Sequence, residues 1–197
     1  MTAEEAQPGA LPFPDPPLSD GLVTLRRLVA ADVAAIVKAC NDPETQRWLD
    51  ILPSPYLPEH ARRYVAIAAV DWESGRAATF AIADARTGGL LGTLAIEEAA
   101  DRRPFLTCGV APWARGRGVG TRAVVLASRW AVRQLGLARL EVLVEPANTA
   151  SVRMTERAGF VREGLLRNYQ VGRDGPVDCL VYSLIPSDLE GDARPAD

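Results

Sequence analysis

From residue 22 onward, apolar side chains recur alternately at the two-residue period of strands and the three-to-four-residue period of amphipathic helices. Residues 22–28 read as a first strand and 31–40 as a helix, with Val33, Ile36 and Val37 at helical spacing. Asp42-Pro43 supplies a cap and a first-turn proline for a short helix toward Trp48. The loop Pro53-Ser54-Pro55 precedes a helix from Pro58 to Glu73, with Tyr64, Ile67 and Ala68 on one face. Three strand-like runs follow: 78–85 with Phe80 and Ile82 together, 90–98 with Leu94 and Ile96 together, and 105–111, stopped by Pro112. Their short connections, such as Thr87-Gly88-Gly89, predict an antiparallel meander.

Beyond the glycines at 116–120, a helix reaches to Leu135, with Val124, Ala127, Ala131 and Leu135 as its buried stripe and Gly136 as its cap. Residues 139–145 form a strand that puts Leu140, Val142 and Val144 on one face. A helix at 150–158 stops at Gly159, and strands at 161–166 and 177–185 are joined by a turn at 172–175. The pattern predicts an α/β domain with a mixed sheet. Its meander is antiparallel, and the strand–glycine loop–helix–strand unit contributes a parallel pair.

Composition narrows the class. A single domain over 21–186 is expected, between a proline-rich arm at 1–20, extended and poorly ordered, and a polar tail at 187–197 that frays. The 48% hydrophobic and 24% charged fractions are those of a soluble globular chain. No apolar run reaches the ~18 residues of a membrane span, and the first residues lack a basic, apolar leader, so the cytoplasm is the expected compartment. A net charge of −3 offers nucleic acid no general attraction. Lys38 is the sole lysine, and the arginine excess reads as a coding bias. Cys40, Cys108 and Cys179 are odd in number and scattered, which suits small buried hydrophobes rather than disulfides or zinc. The lone His60 sits at a helix start, and no metal site is expected.

Residues 110–121 carry the most chemistry. A strand ends, and Gly116, Gly118 and Gly120 open a long helix. Glycines let a ligand approach the backbone, while first-turn N–H groups and the positive helix end favour a phosphate. Arg115 and Arg117 add charge at the rim. Neither the GxGxxG fingerprint nor a Walker loop is present. The plainer alternative is a tight strand-to-helix turn with solvated arginines.

The spacing Arg115-x-x-Gly118-x-Gly120 resembles the coenzyme A signature of the GNAT acetyltransferase superfamily. The resemblance implies a mostly antiparallel sheet with flanking helices and a splayed parallel strand pair. It implies that backbone N–H groups of Arg115, Gly116, Arg117, Gly118, Val119, Gly120 and Thr121 hold the diphosphate of acetyl-coenzyme A. It further implies that the backbones of Cys108 and Val110 pair with the pantetheine arm. A second stretch, Asn148-x-x-Ser151, then Gly159-Phe160, then Glu163-Gly164-x-x-Arg167, is similar to the RimJ/RimL branch of ribosomal-protein N-terminal acetyltransferases. Asn148 fits both an N-cap and a pantetheine contact, whereas Gly159 and Phe160 read as structural.

The activity so implied is transfer of an acetyl group to a primary amine, by direct attack in a ternary complex. A backbone N–H near Val110 would hold the oxyanion. Many relatives protonate the leaving thiolate with a tyrosine at the position of Thr155, which leaves Ser151 as the candidate acid here. Glu97 is the candidate base, although Phe105 stands where relatives often carry a glutamate and a water chain is the alternative. The acceptor pocket is expected from residues 42–60 and the last hairpin, with Asp178 the first residue to test against a cationic amine. The family tendency is a homodimer. Two further readings stay open: a longer acyl donor such as succinyl-coenzyme A, and a non-catalytic protein that senses acetyl-coenzyme A.

Overall fold

The computed structural model describes residues 10–98, 103–173 and 175–190. The chain runs through β1 (Leu18–Ser19), β2 (Val23–Arg26), α1 (Val33–Cys40), α2 (Pro43–Trp48), α3 (Pro58–Ser74), β3 (Ala77–Asp84), β4 (Leu90–Glu98) and β5 (Pro104–Val110). It continues through α4 (Val119–Arg133), β6 (Leu140–Val144), α5 (Thr149–Arg157), β7 (Val161–Gly172) and β8 (Gly175–Leu184). The eight strands form one sheet in the order β1-β2-β3-β4-β5-β6-β8-β7. Every neighbouring pair is antiparallel except β5–β6, which is parallel. The mixed α/β architecture expected from the periodicities is therefore the one observed.

Strand alternation divides the core between the two faces of the sheet. Phe80 and Ile82 of β3 and Leu94 of β4 join Leu106, Leu140 and Tyr182 under α4, where Val124, Ala127, Trp130 and Ala131 are buried. On the opposite face, Ala81 and Leu90 pack against Ile36 of α1, Ala61 of α3 and Tyr56 in the loop before it. Trp72 reaches from the end of α3 to Phe80 and Trp130, with ring centroids 5.1 and 6.0 Å away, and its Nε1–H donates to the Thr79 carbonyl at 2.7 Å. The buried stripe of α3 is Ala61, Ala68 and Trp72; Ile67, expected on that stripe, is 45% exposed.

The arm departs from expectation. Phe13 is half-buried against the core, its ring 5.2 Å from Trp72 and 6.0 Å from Phe80, and the Leu11 N–H donates to the Trp72 carbonyl at 3.1 Å. Two hydrophobes set among prolines, already stiff and extended, suffice to dock the segment on the core. Residues 1–9 lie outside the described residues. At the other end Pro186–Leu189 forms a 3-10 turn with Leu189 in the core, so the packed chain runs past 186, while 191–197 again lie outside the described residues. β7 also continues well beyond the expected 166, with irregular register after Arg162 and Leu166.

Gly92 faces Val110 across β4–β5, and a Cβ there would stand 2.3 Å from the Gly109 carbonyl oxygen. Backbone cannot swing away as a side chain does. Gly92→Ala is expected to destabilise the fold by roughly 2 kcal/mol or more, read as a lower urea midpoint; an unchanged midpoint would show that β4 and β5 do not need this approach.

Candidate active site

The site grows from a defect in the sheet. β5 pairs with β4 from Gly92↔Val110 to Glu98↔Pro104, but with β6 at a single rung, Phe105↔Glu141. β6 instead follows β8, paired from Leu140↔Leu184 to Val144↔Leu180. Beyond Phe105 the two parallel strands thus part and leave a wedge. The Ala111 N–H donates to the Leu91 carbonyl at 2.8 Å, toward β4. Backbone groups alternate sides along a strand, so those of Val110 and Cys108 point the other way, into the wedge.

At the wide end of the wedge lies the glycine loop. A 3-10 turn, Pro112–Ala114, leads to Gly116 (φ 71°) and Gly118 (φ 74°), left-handed conformations that suit glycine. Gly118 is the N-cap of α4, and helical bonding begins with the Arg122 N–H to the Gly118 carbonyl at 3.1 Å. The N–H groups of Val119, Gly120 and Thr121 precede that bond and have no helical acceptor. A Cβ on Gly120 would lie 2.5 Å from Met154 Sδ and 3.0 Å from Val110 Cγ2. The start of α4 is thus pressed against the end of β5 and against α5. Around Gly116 and Gly118 nothing lies within 4 Å of an added Cβ, so that side of the loop is open. Arg117 is exposed and makes no hydrogen bond or ion pair to the described residues.

Arg115 behaves differently from the rim cation expected of it. Its guanidinium turns to α2, donating to Asp42 Oδ2 at 2.7 Å, Thr45 Oγ1 at 2.7 Å and Glu44 Oε2 at 2.9 Å. Asp42 is a cap, as its place before Pro43 predicts, and accepts the Thr45 N–H at 3.0 Å. Its pairing with Arg115, seventy-three positions away, had no local signal.

On α5, Asn148 caps the helix by accepting the Ser151 N–H at 3.1 Å. Ser151 is three residues before Met154, on the same side of the helix, and so turns toward the start of α4. It is half-buried, and its hydroxyl has no hydrogen-bond partner among the described residues. The buried Thr155 Oγ1 is likewise unpartnered.

Glu97 occupies the row Ala77–Glu97–Phe105–Glu141, on the face covered by α1 and α3. Burial, and then the charge of Asp71, raise its carboxyl above the ordinary range. Tyr64 of α3 lies close to both Thr93 and Glu97. The side chain of Glu98 lies outside the described residues. Glu141, not singled out from sequence, borders the wedge at its last rung and accepts Arg139 Nε–H at 2.7 Å. Asp178 accepts the Asn168 N–H at 2.8 Å, holding Asn168 left-handed at φ 51° in the irregular part of β7. Burial pushes the Cys108 thiol up to about 12 and the Cys40 thiol up to about 11, so neither is a ready nucleophile. Among the described residues no group of ligating side chains forms a metal site, and no helix is long and apolar enough to cross a membrane.

Residues 23–161 match the family model described as an acetyltransferase (GNAT) domain. The chain belongs to the GNAT acetyltransferase family. It is 27% identical over 173 residues to the uncharacterized N-acetyltransferase p20 of Bacillus licheniformis, covering 86% of this chain and 96% of that protein. It is 33% identical over 183 residues to the mycothiol acetyltransferase of Salinispora tropica, covering 84% of this chain and 53% of that one. Among solved structures, Mycobacterium smegmatis RimJ in complex with CoA-disulfide superposes with a TM-score of 0.75 at 23% identity, over 85% of this chain and 83% of that one. At that identity the likeness establishes the shared fold, which includes the RimJ/RimL-type neighbours expected from the Asn148–Arg167 stretch. The GNAT enzyme class expected from the sequence stands.

The far side of this GNAT sheet carries an ion-pair knot in which Glu163 meets Arg139 and accepts from Ser183 Oγ at 2.7 Å. Arg139 first, and Ser183 after it, hold the Glu163 carboxyl at about 2 instead of its ordinary 4.5. A depressed carboxyl stabilises the fold above its unfolded value and loses that contribution as pH falls through the folded one. Glu163→Gln is therefore expected to cost at most about 1 kcal/mol at neutral pH, since the pair is partly exposed. The gap to the parent should close as pH falls from 4.5 toward about 2. A gap independent of pH, in denaturant titrations across that range, would show that the pair carries no stability.

Proposed function

We propose that this protein transfers an acetyl group from acetyl-coenzyme A to a primary amine, on a protein N-terminus or a small molecule, by direct attack in a ternary complex. The single observation that carries the reading is the wedge: main-chain groups of Cys108 and Val110 face it, and the open N–H groups of Gly118 to Thr121 stand at its mouth. A diphosphate fits those donors, together with the main chain of Arg115 and Gly116 and the exposed guanidinium of Arg117. An extended pantetheine fits beside β5 as a missing strand would, with the Asn148 amide on its other flank. The residues present thus suit the cosubstrate. RimJ in complex with CoA-disulfide, on the same fold, supports coenzyme A as the kind of ligand bound.

The chain's own groups then divide the proton work. A protonated amine must lose a proton before it attacks the thioester carbonyl. Glu97, with its raised carboxyl, is the base we assign. It sits opposite Phe105, three residues along β5 from Cys108, or about 10 Å away, so the proton reaches it through water. The oxyanion is held by a main-chain N–H of β5 facing the wedge, already aimed and costing no reorganisation. The thiolate takes its proton from Ser151, whose half-buried hydroxyl has no partner among the described residues and turns toward the start of α4. The family's usual tyrosine position holds Thr155, too short and too buried to replace it.

Two measurements test this. Gly118→Asp sets a carboxylate in a left-handed position at the anion cradle, and is expected to abolish coenzyme A binding by calorimetry; unchanged affinity would remove the cradle. Thiol release over a panel of small amines and N-terminal peptides separates a transferase from a protein that only binds. With a turned-over amine, kcat/KM is expected to rise with pH through the elevated Glu97 carboxyl and to lose that limb in Glu97→Gln. An identical profile in the variant would transfer the role of base to water alone.

A further inference from the structure

We infer that Arg115 is a positioning residue that couples the donor loop to the wall of the acceptor site, by holding α2 across the mouth of the wedge. The inference rests on the proposed placement of the coenzyme A diphosphate. The main chain of Arg115 belongs to the loop, while its side chain belongs to α2. One guanidinium fork binds Asp42, Thr45 and Glu44, and Asp42 is itself the N-cap of α2. Burial opposes ionisation of Asp42, but the Thr45 N–H and Arg115 outweigh it and hold the carboxyl below its ordinary range, so the pair stays charged. The side chains of Arg115 and Asp42 are only 30% and 20% exposed, which limits screening of the contact.

A second attachment runs in parallel. Trp113, two residues earlier in the same loop, lies beneath Lys38 of α1, with Nζ 5.1 Å from the ring centroid, and its Nε1–H donates to the Leu90 carbonyl at 3.0 Å. The sole lysine of the chain is thus spent on this contact. α1 and α2 are tied to each other, because Gln46 Nε2–H donates to the Cys40 carbonyl at 2.6 Å. Asn41 ties their junction to Tyr56, giving Nδ2–H to its carbonyl at 2.7 Å and accepting its N–H at 3.0 Å. At the far end, Asp50 Oδ2 comes within 3.6 Å of a Cβ position on Gly172, in the β7–β8 hairpin that β6 carries on the opposite side of the wedge. The stretch from Asp42 to Asp50 therefore reaches from the glycine loop after β5 to the neighbourhood of the β7–β8 hairpin. A ligand that orders the loop also orders this stretch, and by reciprocity an acceptor held by the stretch tightens the donor.

The test uses coenzyme A itself and the isosteric pair Asp42→Asn with Glu44→Gln, which removes both carboxylates yet keeps a competent N-cap. Hydrogen–deuterium exchange is followed with and without saturating coenzyme A. In the parent chain, coenzyme A should slow exchange in both 116–122 and 43–48, the latter about fivefold. In the double variant, protection of 116–122 should persist while that of 43–48 disappears. Equal protection of 43–48 in both proteins, or none in the parent while 116–122 is protected, overturns the coupling and leaves the cradle standing. Absence of any protection in the parent overturns both. If near-UV circular dichroism shows that the double variant does not fold, Glu44→Gln alone, at a position 56% exposed, gives the same comparison at smaller amplitude.

Discussion

The parallel strands β5 and β6 share one rung and then part, and the rest of the site depends on that parting. A strand that loses its neighbour exposes a row of amides and carbonyls, each costing about 1–3 kcal/mol if buried without a partner. The fold bears this because the strands on each side are held elsewhere. β5 is clamped to β4 down to the close approach of Gly92 and Gly109, and β6 is carried by β8. The start of α4, with Gly120 wedged between Val110 and Met154, fixes the mouth. What remains is a slot shaped for an extended chain with an anionic head.

In such a site most recognition comes from the backbone, which needs little of particular side chains beyond permission to approach. That is why the glycines matter more than the arginines around them: Arg117 has no partner among the described residues, and Arg115 looks away toward α2. In the reaction we propose, side chains enter where protons move: Glu97 on β4 and Ser151 on α5 come from different elements, which suits two separate proton transfers. Neither cysteine near the site is acidic enough to intervene.

How much of this the sequence revealed depended on whether its cause was local. Strand and helix periods, the Asp42 cap and the glycine loop are written in neighbouring residues, and the cap, the loop and the order of elements appear as expected. A parallel pair followed from the strand–loop–helix–strand order, but nothing in Phe105 or Glu141 announces that their rung is the only one; the wedge was legible through family resemblance alone. Long-range matters were invisible. Phe13 reads as part of a proline-rich arm until Trp72 and Phe80 are brought beside it. Ile67 satisfies the helical period and still faces outward, because Trp72 sets the rotation of α3. Arg115, in a phosphate motif, looks like a phosphate ligand until its partners in α2 are seen.

The central physical claim is the alternation of main-chain groups along β5 at the wedge. Residue-resolved amide exchange with saturating coenzyme A reads it directly. Slowing at Cys108 and Val110, with Thr107 and Gly109 unaffected because they already pair with β4, is the expected result. Slowing confined to other strands, or none along β5, would contradict the view that the open edge of the sheet receives the donor.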